Sequence, residues 1–236
     1  FPEKSLDELI RIEKKFYHFF CDYFVETLKL TSISKKEMRK RMVFRGVEQV
    51  EQAVHEEGHN FIFLYLGHYC NWEWIASLPY TISPSIHCAQ IYHPLYNKAV
   101  DRFFLKLRNQ FGGECIPMKN TLRRVIELKR EKRPTMIGFI SDQLPKWNSM
   151  HFFVPFLHRE TAVFTGAEQI GRQVKAVYFF ADIIRPRRGY YECTFRRMEI
   201  PEVNRTEYDM TAMFMEQLEQ MIRKVPQYWL WTHKRW

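Results

Sequence analysis

The apolar run Phe61-Ile62-Phe63-Leu64-Tyr65-Leu66 leads straight into Gly67-His68-Tyr69-Cys70-Asn71-Trp72-Glu73, and no other segment constrains the fold as tightly. Six unbroken apolar residues between polar neighbours fit a buried strand. Gly67 permits a tight exit from it. Asn71 is suited to cap a following helix, and Glu73 then falls in the first helical turn, where a carboxylate is favoured. On one continuous helix, positions five apart point about 140° away from each other, so His68 and Glu73 meet only if the chain turns between them. Strand, turn and helix start supply that turn. The expected result is an imidazole at a strand end with a carboxylate reaching back to it, a base with its orienting partner. A turn histidine beside a surface glutamate is the plainer reading of the same letters. The strand-exit position and the flanking Asn71-Trp72 favour chemistry.

The rest of the pattern predicts an α/β fold. Ser5-Leu6-Asp7-Glu8 is a capping box, and Leu6, Leu9, Ile10, Phe16, Tyr17, Phe20, Tyr23, Phe24 and Leu28 follow at helical steps. They predict a long N-terminal amphipathic helix with its aromatic stripe on the core, the lesser alternative being a stripe that rests on a membrane. Strands are expected over 85–91, 115–118 and 136–140, and a strand pair over 174–184 and 191–195 around the turn 186–189. Helices are expected from Asn97 to Arg108, from Leu122 to Lys132, over 162–173, and from Thr206 to just before Pro226. Alternation of strands and helices through the middle predicts a mainly parallel sheet with helices on its faces. In such sheets ligands gather beyond the carboxyl ends of the strands, where both His68 and Asp142 fall. With no repeat, low-complexity tract or linker, one domain over residues 1–236 is expected.

The formal net charge of +9 suits an anionic partner, whether nucleic acid, anionic lipid or an acidic protein. No zinc-finger or RNP-type motif accompanies it, so nucleic acid is not expected as the partner. Five cysteines without C-x-x-C spacing fit free thiols, and Cys70 reads as a small turn filler rather than a nucleophile. No run of eighteen apolar residues is present. The chain begins at Phe1 and not at Met, so its natural N-terminus is expected upstream, with any anchor or signal there invisible.

Further candidates accompany the histidine turn. His55-Glu56-Glu57-Gly58-His59 matches the H-E-x-x-H zinc motif by letter, which would make a zinc hydrolase. Gly58 and Asn60, however, end helices, and the motif needs both histidines on one helix face. Asp142-Gln143 is either a capping turn or a polar pair at the rim of the same cleft. Arg108 is either a surface charge or a bidentate clamp for phosphate or carboxylate. The ending Tyr228 to Trp236 mixes tryptophan with cations, as at a membrane interface or in a tail packed back on the domain; packing is the favoured reading. No G-x-S-x-G elbow is present, so direct transfer to a bound hydroxyl is simpler than a covalent intermediate.

Taken together, these segments resemble the late acyltransferases of lipid A biosynthesis, the lauroyl/myristoyl transferase family. The likeness rests on Gly67 to Glu73 as an H-x4-(D/E) signature with an Asn-Trp-Glu core, and on Tyr92 to Asn97 with Asp101 and Arg108. It extends to Asp142-Gln143 with Phe152 to Phe156 and Thr161-Ala162, and to the ending from Pro226. The resemblance implies a glycerolipid-acyltransferase-like fold at the cytoplasmic face of the inner membrane, held there through an anchor upstream of this chain. It implies an acyl-carrier-protein thioester as donor, a Kdo-bearing lipid A precursor as acceptor, and no metal or organic cofactor. His68 and Glu73 would be the catalytic pair, with Arg108, Asp142, Gln143, Asn71 and Trp72 around the substrate. The alternatives are a related acyltransferase acting on another membrane glycolipid, the zinc hydrolase, and a basic membrane- or nucleic-acid-binding module. Cys70 stands where the family often has glycine, which leaves the turn geometry open.

Overall fold

A computed structural model describes residues 1–200 and 207–236. The strands are β1 (Met42–Arg45), β2 (Phe61–Leu66), β3 (His87–Tyr92), β4 (Glu114–Pro117), β5 (Thr135–Ile140), β6 (Phe153–Phe156), β7 (Arg159–Ala162), β8 (Val177–Arg187) and β9 (Tyr190–Met198). The helices are α1 (Leu6–Lys29), α2 (Lys35–Arg41), α3 (Val47–His55), α4 (Lys98–Asn109), α5 (Thr121–Glu131), α6 (Gly166–Val174) and α7 (Asp209–Lys224). Seven strands form one sheet in the order β1-β9-β8-β2-β5-β3-β4, and β6 and β7 make a separate hairpin. From β8 to β4 every pairing is parallel; β9 runs antiparallel to β8, and β1 joins it in parallel. The fold is the mostly parallel, helix-flanked sheet with a long N-terminal helix that the alternating pattern predicts.

β2 lies at the centre, and all of its residues are buried. It pairs with β8 on one side and with β5 on the other, in the register Phe61↔Thr135 through Leu66↔Ile140. Covered on both faces and bonded on both edges, it needs the unbroken apolar run it has. Extended by two residues past the last pair, the same register brings His68 opposite Asp142.

Several elements depart from the sequence expectations. The segment after the histidine turn, Trp72–Tyr80, is a 3-10 helix. Asn71 does not cap it; its amide is drawn away to Glu26 on α1, donating to Oε2 at 2.7 Å. The helix expected over 162–173 begins only at Gly166, because residues up to Ala162 pair as β7. β1 and the β6–β7 hairpin were not anticipated; short strands carry too few residues to show a period. Thr206 of the last expected helix start lies outside the described residues. The N-terminus of α7 is capped in trans instead, where the buried carboxylate of Glu168 accepts from the Thr211 N–H and hydroxyl, both at 2.8 Å.

α1 has the predicted capping box, with Ser5 and Glu8 bonded reciprocally. Its apolar band is wider than the surface it packs on. Phe16, Phe19 and Tyr23 are buried, whereas Leu6, Leu9, Ile10, Tyr17, Phe24 and Leu28 are exposed. The stripe therefore rests on the core along one edge only. Among the described residues no helix is long and apolar enough to cross a membrane. The C-terminal segment packs back on the domain as favoured: Trp229 is buried, and the Trp231 and Trp236 indoles donate to Pro226 O and Thr161 Oγ1.

Gly67 is required by close approach. A Cβ there would lie 2.7 Å from Leu218 Cδ1 on α7 and 3.4 Å from Asp142 Oδ2. Leu218 is wholly buried and has little room to retreat. Gly67→Ala is therefore expected to destabilise the protein by about 1–3 kcal/mol through overpacking, read as a lower midpoint in urea unfolding; an unchanged midpoint contradicts the packing.

Candidate active site

His68 stands two residues past β2 and Asp142 two residues past β5, so the parallel register sets them face to face. His68 Nδ1 lies 2.6 Å from Asp142 Oδ1. The His68 backbone N–H and the Trp229 indole N–H both donate to Asp142 Oδ2, at 2.9 and 2.8 Å. The carboxylate thus grips the imidazole and its backbone together, which fixes the ring plane and directs its proton to Nδ1. Nε2 is left as the lone-pair nitrogen, and the Gln143 amide nitrogen lies 3.2 Å from it. The His68 side chain is 16% exposed and that of Asp142 2%, so the imidazole meets the cleft while its partner stays dry.

The expected orienting partner was Glu73, and here the structure differs. Glu73 is bound elsewhere: Arg108, from the last turn of α4, donates to it through Nε at 2.8 Å and Nη2 at 2.6 Å. The reason lies in local geometry. The 3-10 turn carries Glu73 toward α4, while the strand register delivers Asp142 to the imidazole. Arg108 is therefore a clamp, as its fork geometry allows, but its carboxylate is internal. With side-chain exposures of 20% and 5%, the pair is largely desolvated.

Asn71 and Trp72 hold the turn. Besides its bond to Glu26, which also accepts from the Tyr191 hydroxyl at 2.7 Å, Asn71 is fully buried. Trp72 stacks on Tyr23 of α1, with centroids 4.5 Å apart, and meets the His68 ring edge-on at 5.0 Å. Cys70 sits at φ 54°, the left-handed region that glycine enters most freely. The turn is thus kept despite the side chain, whose wholly buried thiol faces the Ile183 carbonyl at 3.8 Å. Burial pushes the Cys70 thiol well above its ordinary pKa, which suits a turn filler and not a nucleophile.

Sequence reasoning missed the part played by the C-terminal segment. Leu230 N–H donates to His68 O at 3.0 Å, Cys70 N–H donates to Tyr228 O at 2.9 Å, and Trp229 reaches Asp142. The tail zips onto the histidine turn from the far end of the chain. Its tryptophan-rich composition was visible; which buried acceptor an indole would serve was not.

His68, Glu73 and Arg108 line a cavity of about 620 Å³. Its floor is the sheet face bearing Leu64, Leu66, Met136, Gly138 and Ile140, and its walls include Phe164 and Ile170. This is an apolar slot with an acid–base group at its mouth, the usual composition of a ligand site. The zinc alternative lacks its geometry: α3 ends at His55, which contacts Ser85, while His59 lies past Gly58 beside Glu57. Among the described residues no group of three or more metal-ligating side chains comes together.

Electrostatics favour a charged Asp142. Burial pushes its carboxyl upward, but the neighbouring imidazole and the hydrogen bonds from His68 and Trp229 outweigh it and hold the carboxyl below its ordinary pKa. His233, nearby in the tail, is lowered by burial and by His68.

A mostly parallel α/β sheet with a histidine–carboxylate pair over an apolar slot is an arrangement that can do acid–base work on a lipophilic ligand. The chain matches the bacterial lipid A biosynthesis acyltransferase family over residues 1–236 and belongs to it. It is 27% identical over 202 residues, 84% of its length, to a lipid A biosynthesis acyltransferase of Haemophilus influenzae, and spans 60% of that relative's length.

Two outcomes test this geometry. Asp142 has a folded pKa below its unfolded value of about 3.9, so its stabilisation is complete above about pH 4 and is lost as pH falls through the folded value. In thermal unfolding, Asp142→Asn should melt below the wild type at about pH 7, and the gap should shrink below about pH 4; a constant gap contradicts the pairing. Arg108→Met strands a buried Glu73 and should cost about 3–5 kcal/mol, most of it recovered in the Arg108→Met/Glu73→Gln double variant. Additive losses in that cycle would show that the two side chains do not couple.

Proposed function

We propose that this protein is an acyltransferase that moves a fatty acyl chain from an acyl-carrier-protein thioester to a hydroxyl of a Kdo-bearing lipid A precursor. The observation that carries the reading is the imidazole of His68, held by Asp142 through Nδ1 with Nε2 facing the Gln143 amide, at the mouth of an apolar cavity. Family membership and the name of the Haemophilus relative support the acceptor class. The +9 charge supports an acidic carrier protein and a phosphorylated, carboxylated acceptor.

In this mechanism His68 Nε2 takes the proton of the acceptor hydroxyl as its oxygen attacks the thioester carbonyl. Asp142 stabilises the imidazolium that forms. Collapse of the tetrahedral intermediate breaks the carbon–sulfur bond, and the imidazolium returns the proton to the departing sulfur. Glu73 and Arg108 shape the wall beside the reacting centre, and Gln143 sits where it can hydrogen-bond the incoming hydroxyl. The work takes place at the cytoplasmic face of the inner membrane. Support comes from the exposed apolar edge of α1 and from Leu95, Tyr96, Val100 and Phe103, exposed at and before α4 beside Lys98, Arg102 and Lys106.

General-base catalysis is worth roughly 10²–10⁴-fold. His68→Ala should lose at least that much transfer to a Kdo-bearing lipid A precursor, followed by mass spectrometry of the product, while keeping its circular dichroism and melting curve. A folded His68→Ala variant with undiminished transfer would falsify the assignment.

A further inference from the structure

The cavity floor has a gap in its middle. Along β5, Met136, Gly138 and Ile140 share one sheet face, with Leu64 on β2 and Gln90 on β3 in register with Gly138. Ile140 lies at the His68 end, level with Leu66, and Met136 lies at the far end, level with Cys88. At a rise of about 3.3 Å per residue, the span from Ile140 to Met136 is about 13 Å. Gly138 is halfway along it.

Glycine in a central strand weakens the strand and needs a reason. Backbone conformation is not the reason, since Gly138 is absent from the positive-φ glycines. Close packing is not the reason either. A Cβ at Gly138 would meet Leu66 Cδ2 at 3.7 Å, Ala89 O at 3.8 Å and Gln90 Cβ at 4.0 Å, all ordinary contacts. The protein itself would accept a methyl group there. What a side chain would obstruct is the slot: Gly138 is half-buried although its strand is flanked on both edges, because its open side faces the cavity.

We propose that Gly138 sets the length of acyl chain this protein accepts, by leaving open the passage from the His68 mouth to the far compartment floored by Met136 and Cys88. A chain entering beside His68 runs along the strands, crosses Gly138, and ends among Met136, Cys88, Leu78 and Pro79. A branched side chain at position 138 closes that passage and leaves the near half usable. The inference rests on the acyl-transfer reading above and adds the residue that sets its chain-length specificity.

The test is a competition among acyl-carrier-protein thioesters from octanoyl to palmitoyl, with wild type, Gly138→Ala and Gly138→Leu. The wild type is expected to favour the longer donors. In Gly138→Leu the ratio of kcat/KM for short over long donors should rise by roughly ten-fold or more, the discrimination that about one methylene commands in an apolar pocket. The loss in kcat/KM should be smallest for the shortest donors and grow with chain length. Gly138→Ala, whose Cβ fits without displacement, should shift the preference the same way by less, and it decides the matter if the leucine variant does not fold. Equal loss across all donors, or unchanged preference in a folded variant, overturns the proposal. Wild type that transfers none of the donors overturns the acyl-transfer reading instead.

Discussion

The histidine–carboxylate pair of this protein depends on the register between two parallel strands. β2 and β5 pair from Phe61↔Thr135 to Leu66↔Ile140, and each then runs two residues further before turning. Had either strand slipped by one residue, its exit side chain would face the opposite side of the sheet, and His68 would lose its carboxylate. The apolar content of β2 drives the strand into the centre of the sheet, where pairing with β8 on one edge and β5 on the other holds the register that builds the pair.

A carboxylate as buried as Asp142 is unfavourable unless its lone pairs are occupied. Here three donors occupy them: the imidazole, the His68 backbone N–H and the Trp229 indole. Glu73 meets the same problem with Arg108, and Glu168 meets it with the N-terminus of α7. Glu73 lines the cleft and Asp142 holds the imidazole at its mouth, and each of these desolvated charges is satisfied by partners from distant parts of the chain. Such pairs contribute less to net stability than to holding one arrangement. That suits a site in which an imidazole has to be held at a fixed angle above an apolar slot.

Much of this was legible in the sequence where the signal was local. The buried strand, the strand-exit histidine, the capping box of α1, the Asn97 cap of α4 and the end of α5 before Pro134 all follow from neighbouring residues. The fold class followed from alternation alone. The orienting partner did not, because Glu73 is near His68 in the chain whereas Asp142 is near it only through strand pairing. The sequence placed both His68 and Asp142 at the same edge of a sheet, but strand order and register are long-range facts that one sequence does not carry. Trp229 was hidden for the same reason. The wide apolar band of α1 was visible, yet its division into a packed edge and an exposed edge depends on how much surface the sheet offers it.

Trp229 follows every strand of the sheet in chain order. During synthesis the sheet and the histidine turn leave the ribosome before the indole that serves Asp142 exists. A nascent chain can therefore fold its scaffold while the carboxylate still lacks one of its donors, and the pair gains its full set only after Trp229 has emerged. Quality control of this protein is in effect written into the segment around Trp229: a messenger cut short just upstream of it would yield a sheet with a loosely held imidazole.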